Sequence, residues 1–167
     1  MDSRSVNCLN CGKSFVTYNV FAKFCCDKCK TAYMSIGAKK ILVIDDWRST
    51  AELIGKWFPE ATVDHMYGLP VAEEDLAKLD EYDILFVDNE GIGNKQYRDG
   101  QEFLKAYKPK SDKQMVIYHS GLGPDPNFKR ILDDKGFFNF EKCGKEYVLR
   151  DMIRDFVNNQ RKGELKC

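Results

Sequence analysis

Four short apolar runs in this chain each lead into a residue that could serve phosphoryl chemistry. Ile41-Leu42-Val43-Ile44 ends in Asp45-Asp46, and Ile84-Leu85-Phe86-Val87 ends in Asp88. Met115-Val116-Ile117-Tyr118 leads to Ser120, and Phe137-Phe138-Asn139-Phe140 leads to Lys142. Three carboxylates brought together repel one another unless a cation sits among them. Hard oxygen ligands at that density match Mg2+, which takes few carboxylates and keeps several waters. With the cluster neutralised, Asp88 is the candidate to accept a phosphoryl group as an acyl phosphate. The Lys142 ammonium and the Ser120 hydroxyl would then meet the charge on the transferring oxygens. The plainer alternative is that the acids cap the helices that follow, and that Ser120 makes an ordinary turn.

These residues converge only if the apolar runs are parallel strands, whose carboxyl ends form the ligand edge of an open α/β sheet. From Lys40 onward, apolar runs alternate with helix-like stretches, the pattern of βα units. Strands are expected over 40–45, 61–66, 83–88, 114–119 and 137–141. Helices are expected over 49–57, 71–79, 101–107, 127–134 and 145–159, with Val71, Leu76 and Leu79 on the second and Val148, Leu149, Ile153, Phe156 and Val157 on the last. The weaker run 61–66 reads as an edge strand. Strands one, three and four are apolar throughout, which suits a sheet covered on both faces. The segment Asn89–Arg98 reads as a polar loop, and the charged tail 161–167 as frayed. The domain class is thus α/β, a five-stranded parallel doubly wound sheet. No Gly-x-Gly-x-x-Gly follows the first strand, which disfavours a dinucleotide, and no Gly-Lys-Ser phosphate loop is present.

A different chemistry occupies the N-terminus. Five of the seven cysteines (Cys8, Cys11, Cys25, Cys26 and Cys29) fall within 22 residues. Without a secretory signal, such a window points to a metal rather than to disulfides. A Cys-x2-Cys pair followed by a second pair supplies the tetrahedral set that Zn2+ prefers. Gly12 fits a knuckle in which backbone amides turn towards the sulfurs. Cys25 and Cys26 compete for the third position, since either pairs with Cys29 at an acceptable spacing. Cys143 and Cys167 stand apart, with Cys167 expected to be exposed. Residues 1–40 carry seven Lys/Arg against Asp2 and Asp27, a net +5 in a chain whose total is zero. Phe15, Tyr18, Phe21 and Tyr33 lie among those charges. The basic module is expected either to hold nucleic acid phosphates or to dock on an acidic protein. The aromatics are equally explained as a small core around the metal.

Two resemblances follow from these residues. The Cys-x2-Cys-Gly-Lys start and the Phe-Cys-x3-Cys second half are similar to short treble-clef or zinc-ribbon fingers, over about 25 residues. That likeness implies Cys8, Cys11, Cys25 and Cys29 as zinc ligands. The region from about residue 39 to 160 resembles the receiver domain of bacterial response regulators. That family has an acidic pair after strand one, a phospho-accepting Asp after strand three, Ser or Thr after strand four and Lys after strand five. Here these are Asp45 and Asp46, Asp88, Ser120 and Lys142, with separations from Asp46 onward of 42, 32 and 22 residues. The resemblance implies transfer from a phosphohistidine of a kinase or phosphotransfer protein to Asp88. It also implies Mg2+ held by Asp45, Asp46, Asp88 and the Glu90 backbone carbonyl, with Asp46 as the more direct ligand of the pair. The chain departs from the family at three places. Asn89–Asn94 replaces a Met-Pro turn, Cys143 replaces the Pro after Lys142, and Asn139 stands at the aromatic switch position. Together they imply an atypical receiver with its own output surface.

The expected domains are a zinc-finger module at 1–37, a receiver-like domain at 38–160 and the tail. No apolar stretch approaches the roughly 18 residues of a membrane span, and no apolar signal core begins the chain. A cytoplasmic protein is therefore expected. Two further readings compete with a phospho-acceptor, which would have at most self-phosphorylation and self-dephosphorylation activity. One is a receiver fold kept for protein contacts alone. The other is a Mg2+-dependent phosphatase or nuclease, for which Glu90 stands where a general acid Asp is usual. His119 is expected to point away from the site and to be structural, and His65 has no assigned role. Trp47 and Arg48 either line the site mouth or cover the first helix.

Overall fold

A computed structural model describes residues 3–109, 111–142 and 146–164, without the side chains of 161–164. Cys143, Lys145, Cys167 and the last part of the tail lie outside the described residues. The chain divides into two compact units, Met1–Ile36 with Met152–Cys167, and Gly37–Asp151.

The first unit opens with an antiparallel hairpin, β1 (Arg4–Asn7) and β2 (Ser14–Thr17), in which Val6 faces Phe15. The turn between them carries Cys8, Cys11 and Gly12, the last at φ 73°. Helix α1 (Asp27–Met34) follows the second cysteine group, and the Phe24 and Tyr33 rings pack at 5.1 Å. The last turn of α1 leaves carbonyls without helical partners, and the C-terminal segment satisfies two of them. Arg154 Nε donates to the Met34 carbonyl at 3.2 Å, and Asn158 Nδ2 to the Tyr33 carbonyl at 2.9 Å. Tyr33 Oη returns a bond of 2.6 Å to Asp155. Helix α6 (Glu146–Glu164), which supplies those donors, runs through charged positions expected to fray.

The second unit is the expected α/β layer structure. Its elements are β3 (Lys40–Ile44), α2 (Arg48–Trp57), β4 (Thr62–Met66), α3 (Glu73–Lys78) with a 3-10 turn at Leu79–Glu81, β5 (Ile84–Asp88), α4 (Gly100–Ala106), β6 (Met115–Ser120), α5 (Pro126–Lys135), β7 (Phe138–Glu141) and the start of α6. All neighbouring strands are parallel, in the order β4-β3-β5-β6-β7. The order reverses between β3 and β5, the switch point where open α/β sheets bind ligands.

Period-two alternation sends neighbouring residues of each strand to opposite faces. Leu42, Ile44, Leu85, Val87, Val116 and Tyr118 pack with Leu79, Phe103, Leu104, Phe128 and Leu132 in one core. The alternate residues Ile41, Val43, Ile84, Phe86 and Ile117 are equally buried. Asp99 caps α4 by accepting from the Glu102 amide, and Asp125 caps α5, where Pro126 takes the first turn. Two side chains differ from expectation. Val71 precedes α3, which begins at the acidic run Glu73–Asp75, and is exposed, as is Val148.

Candidate functional site

The carboxyl edge of the sheet collects the residues that the sequence marks. Asp45 follows β3 directly, Asp46 comes next, and Asp88 closes β5. One oxygen of each lies within 4.8 Å of the others. Asp45 and Asp88 are buried, whereas Asp46 is exposed. Lys142, just past β7, reaches across two strands, and its Nζ is 2.7 Å from Asp88 Oδ2 and 3.3 Å from Asp45 Oδ2. Its own amide donates to the Ser120 carbonyl at 2.8 Å, which locks the ends of β6 and β7 together. Ser120 ends β6 at the same edge, is buried, and its Oγ accepts from the Leu122 amide at 3.3 Å. Glu90 lies two residues beyond Asp88, its side chain exposed.

Asp45 is the most constrained of the acids. It accepts from the Trp47 amide at 2.7 Å and from the Thr50 hydroxyl at 2.9 Å. His65 Nε2 donates to its backbone carbonyl at 2.7 Å. Local turn bonding and a role at the edge therefore coexist in one side chain. Asp88 Oδ1 accepts from the Asn89 amide at 2.7 Å, which fixes the carboxylate plane.

Burial raises the Asp88 carboxyl, against the opposing pull of Lys142. Burial works against the Lys142 charge, but its hydrogen bond and attraction to Asp88, and the Asp45 charge, outweigh that and hold the ammonium above its ordinary range. The edge thus holds an excess of negative charge that one lysine only partly offsets.

His119 points to the sheet face opposite Ser120, as alternation requires. It is nonetheless part of the surroundings, with Nδ1 4.0 Å from Asp45 Oδ2. Its ring stacks on Phe140 and meets Phe86 edge-on. Burial, and then the Lys142 charge, push it down to about 4, against Asp45. The imidazole is therefore neutral at physiological pH. A cavity of about 220 Å³ opens beside it, lined by Thr50, Leu53, Trp57, Phe140 and Lys142 among others.

The Asn89–Arg98 loop is less polar in its packing than its composition suggests. Ile92 is fully buried, and its carbonyl accepts from the Leu69 amide at 2.8 Å. Asn94 Nδ2 donates to the carbonyls of Leu69 and Pro70, while its Oδ1 accepts from the Gln96 and Tyr97 amides. Gly91 sits at φ 75°, and a Cβ there would fall 2.2 Å from Asp46 Oδ2. At that φ a side chain is strained, and its Cβ would displace the Asp46 carboxylate. The roles of Gly91, Thr50 and His65 escape a sequence reading. Thr50 alone carries a signal, being one helical turn past the acidic pair.

The cysteine group in the first unit is equally well defined. Sulfurs of Cys8, Cys11, Cys25 and Cys29 lie within 4.8 Å of one another, and Cys26 falls outside the group, at the N-cap of α1. Burial raises the Cys8 thiol, yet bonds from the Cys11, Cys25 and Asn10 backbones outweigh it and bring it to about 6. Four sulfurs at this spacing could hold one tetrahedral ion.

No family model matches the sequence, and no curated protein matches it either. Solved structures do match. A CheY-like response regulator receiver domain protein from Methanospirillum hungatei is 18% identical, with a TM-score of 0.59, over 76% of this chain and 99% of that one. The signal receiver domain of a DNA-binding response regulator from Colwellia psychrerythraea is 24% identical, with a TM-score of 0.54, over 71% and 98%. The receiver domain of the histidine kinase CKI1 from Arabidopsis thaliana, complexed with Mg2+ and BeF3−, is 19% identical, with a TM-score of 0.51, over 72% and 91%. At these identities the likeness is one of fold. The strand order, the two-sided core and these neighbours together identify the parallel-sheet unit as a CheY-like receiver fold.

Proposed function

We propose that the receiver unit accepts a phosphoryl group on Asp88 in two-component-type signalling, and that a zinc-held finger is its interaction module. The observation that carries this reading is the convergence of Asp45, Asp46 and Asp88 opposite Lys142 at the switch-point edge. Three acids against one lysine leave a site that fits a divalent cation. Asp45, Asp46, Asp88 and the Glu90 carbonyl would hold Mg2+, which when bound offsets the charge on the carboxylates and on the phosphoryl oxygens.

The chain's own groups do the rest. The Asn89 amide orients the Asp88 carboxylate for attack on phosphorus. The donor is a phosphohistidine of a histidine kinase or phosphotransfer protein. As the Asp88 O–P bond forms, the P–N bond breaks, and the imidazole leaves and takes up a proton. Lys142, a flexible point charge, passes from Asp88 Oδ2 to the incoming oxygens. Ser120 turns its hydroxyl from the Leu122 amide to the same group. In the first unit, Cys8, Cys11, Cys25 and Cys29 would hold Zn2+. Four thiolates close the coordination sphere, so this metal is structural.

The test is a thermal melt with Mg2+ and beryllofluoride. The protein should gain several degrees, and Asp88→Asn should gain nothing. An unmoved melt with zinc bound would instead support a receiver fold used only for protein contacts. Asn139 favours that second reading, because no ring occupies the switch position and its buried Oδ1 has no partner among the described residues.

A further inference from the structure

Tyr18 and Phe21 are not part of the small core around the cysteines. Phe15 and Tyr33 are partly buried there, whereas Tyr18 is 68% exposed and Phe21 84%. Both rings stand on the loop that follows β2, and that loop is held by its own hydrogen bonds. The Asn19 amide donates to Thr17 Oγ1 at 3.0 Å, and the Phe21 amide donates to Asn19 Oδ1 at 2.9 Å. The Ala22 amide closes the turn on the Asn19 carbonyl at 3.1 Å. The Arg4 guanidinium clamps the Val20 carbonyl from β1. Two large rings are thus fixed in solvent on an ordered backbone, with little further ordering to lose on binding.

The sequence around them carries charge of one sign, and the backbone bonds of the Cys8 amide to the Lys13 carbonyl and of the Leu9 amide to the Lys23 carbonyl place both lysines at the cysteine turn, at the other end of β2. Residues 3–26 contain no Asp or Glu, and they carry Arg4, Lys13 and Lys23. Across the whole unit, nine Lys/Arg stand against four Asp/Glu. Exposed rings in a stretch of sequence that carries cations and no carboxylate match a polyanion that also offers flat faces. Single-stranded nucleic acid is that polymer, since every base has a π face and every linkage a phosphate. A duplex offers its phosphates but keeps its base faces stacked away from a loop tip.

We propose that the Thr17–Ala22 loop binds single-stranded nucleic acid, with Tyr18 and Phe21 stacking on bases and Lys13 and Lys23 neutralising phosphates. This deepens the reading of the zinc-held finger as the interaction module by naming its partner class.

Fluorescence anisotropy of the full chain with a labelled 12-nucleotide strand of mixed sequence, as DNA and as RNA, tests it. Tyr18→Ala and Phe21→Ala should each weaken binding about tenfold, and Tyr18→Phe should not. Lys13→Ala and Lys23→Ala should each flatten the log–log salt slope by about 0.7. The matching duplex should bind more weakly. Tyr18→Leu and Phe21→Leu keep an apolar tip without a stacking face and should behave like the alanine variants. Absence of binding at 50 mM salt overturns the proposal. So does binding that ignores both rings, or that the leucine variants retain, the latter being the mark of a protein groove as the true partner. Zinc content measured on the same samples separates the two readings. One zinc per chain with no strand binding sinks this inference alone, whereas ring-dependent binding without zinc upholds it and sinks the zinc assignment.

Discussion

Lys142 sets the electrostatic balance at the carboxyl edge of the sheet. It joins two buried carboxylates, and its removal leaves them facing each other without a cation. Lys142→Met should therefore lower stability by about 1–2 kcal/mol in Mg2+-free buffer, a figure reduced for the lysine's partial exposure. Added Mg2+ should stabilise this variant more than it stabilises the parent, because the site has become more negative. Melts with and without Mg2+ decide the point, and an equal gain in both proteins would refute it. His119 gives a second prediction at this scale. Its folded pKa of about 4 lies below its ordinary 6.5, so the unfolded chain takes up a proton first as pH falls. The stability due to the neutral ring is complete above pH 6.5 and drains away towards pH 4. Relative to His119→Phe, the parent should lose roughly 3 kcal/mol across that window. Urea unfolding of both proteins measures the difference, and parallel pH curves would show that burial does not discriminate against the imidazolium.

Among the elements, the C-terminal part of α6 has a role that its own sequence does not announce. Its apolar positions Ile153 and Val157 are buried, as the helical spacing predicts. Its polar positions Arg154 and Asn158 are buried too, because they satisfy carbonyls at the end of α1. Asn158→Ala leaves the Tyr33 carbonyl without that donor and should cost about 1–2 kcal/mol in the first unit. The loss should appear as faster amide exchange in Asp27–Met34, with β5 and β6 unchanged. Uniform protection across α1 in the variant would mean that water replaces the amide at no cost. The loop after β5 is a similar case. Ile92 and Asn94 pin it to the Leu69–Pro70 segment, so a stretch rich in glycine and polar residues forms a defined wall beside Asp46.

At the scale of the molecule, two units draw their order from different sources. The receiver fold has a two-sided apolar core, while the first unit has a short hairpin, an eight-residue helix, the C-terminal part of α6 and a group of four sulfurs. On the proposed reading of the four cysteines as zinc ligands, a chelator should remove amide protection from residues 3–36 and leave the parallel sheet protected. Cys25→Ser should mimic the chelator, and Cys26→Ser should not. Exchange measured by mass spectrometry checks both. The charge division follows the same partition: +5 lies in the first unit, so the remaining −5 of this neutral chain lies in the parallel-sheet unit.

The sequence alone determined the parallel βα alternation, the edge strand β4 and the five strand-end residues. Each is written in local signals, apolar runs of strand length and polar residues directly after them. It also narrowed the candidate cysteine ligands to two sets. Tertiary structure decided the rest, because the deciding contacts join residues far apart in the chain. Cys25 rather than Cys26 turns towards Cys8 and Cys11. Lys142 reaches Asp45 over 97 residues, and Asn158 reaches Tyr33 over 125. Whether a surface ring belongs to a core or to a partner is settled by what packs around it, and that left Tyr18 and Phe21 in solvent.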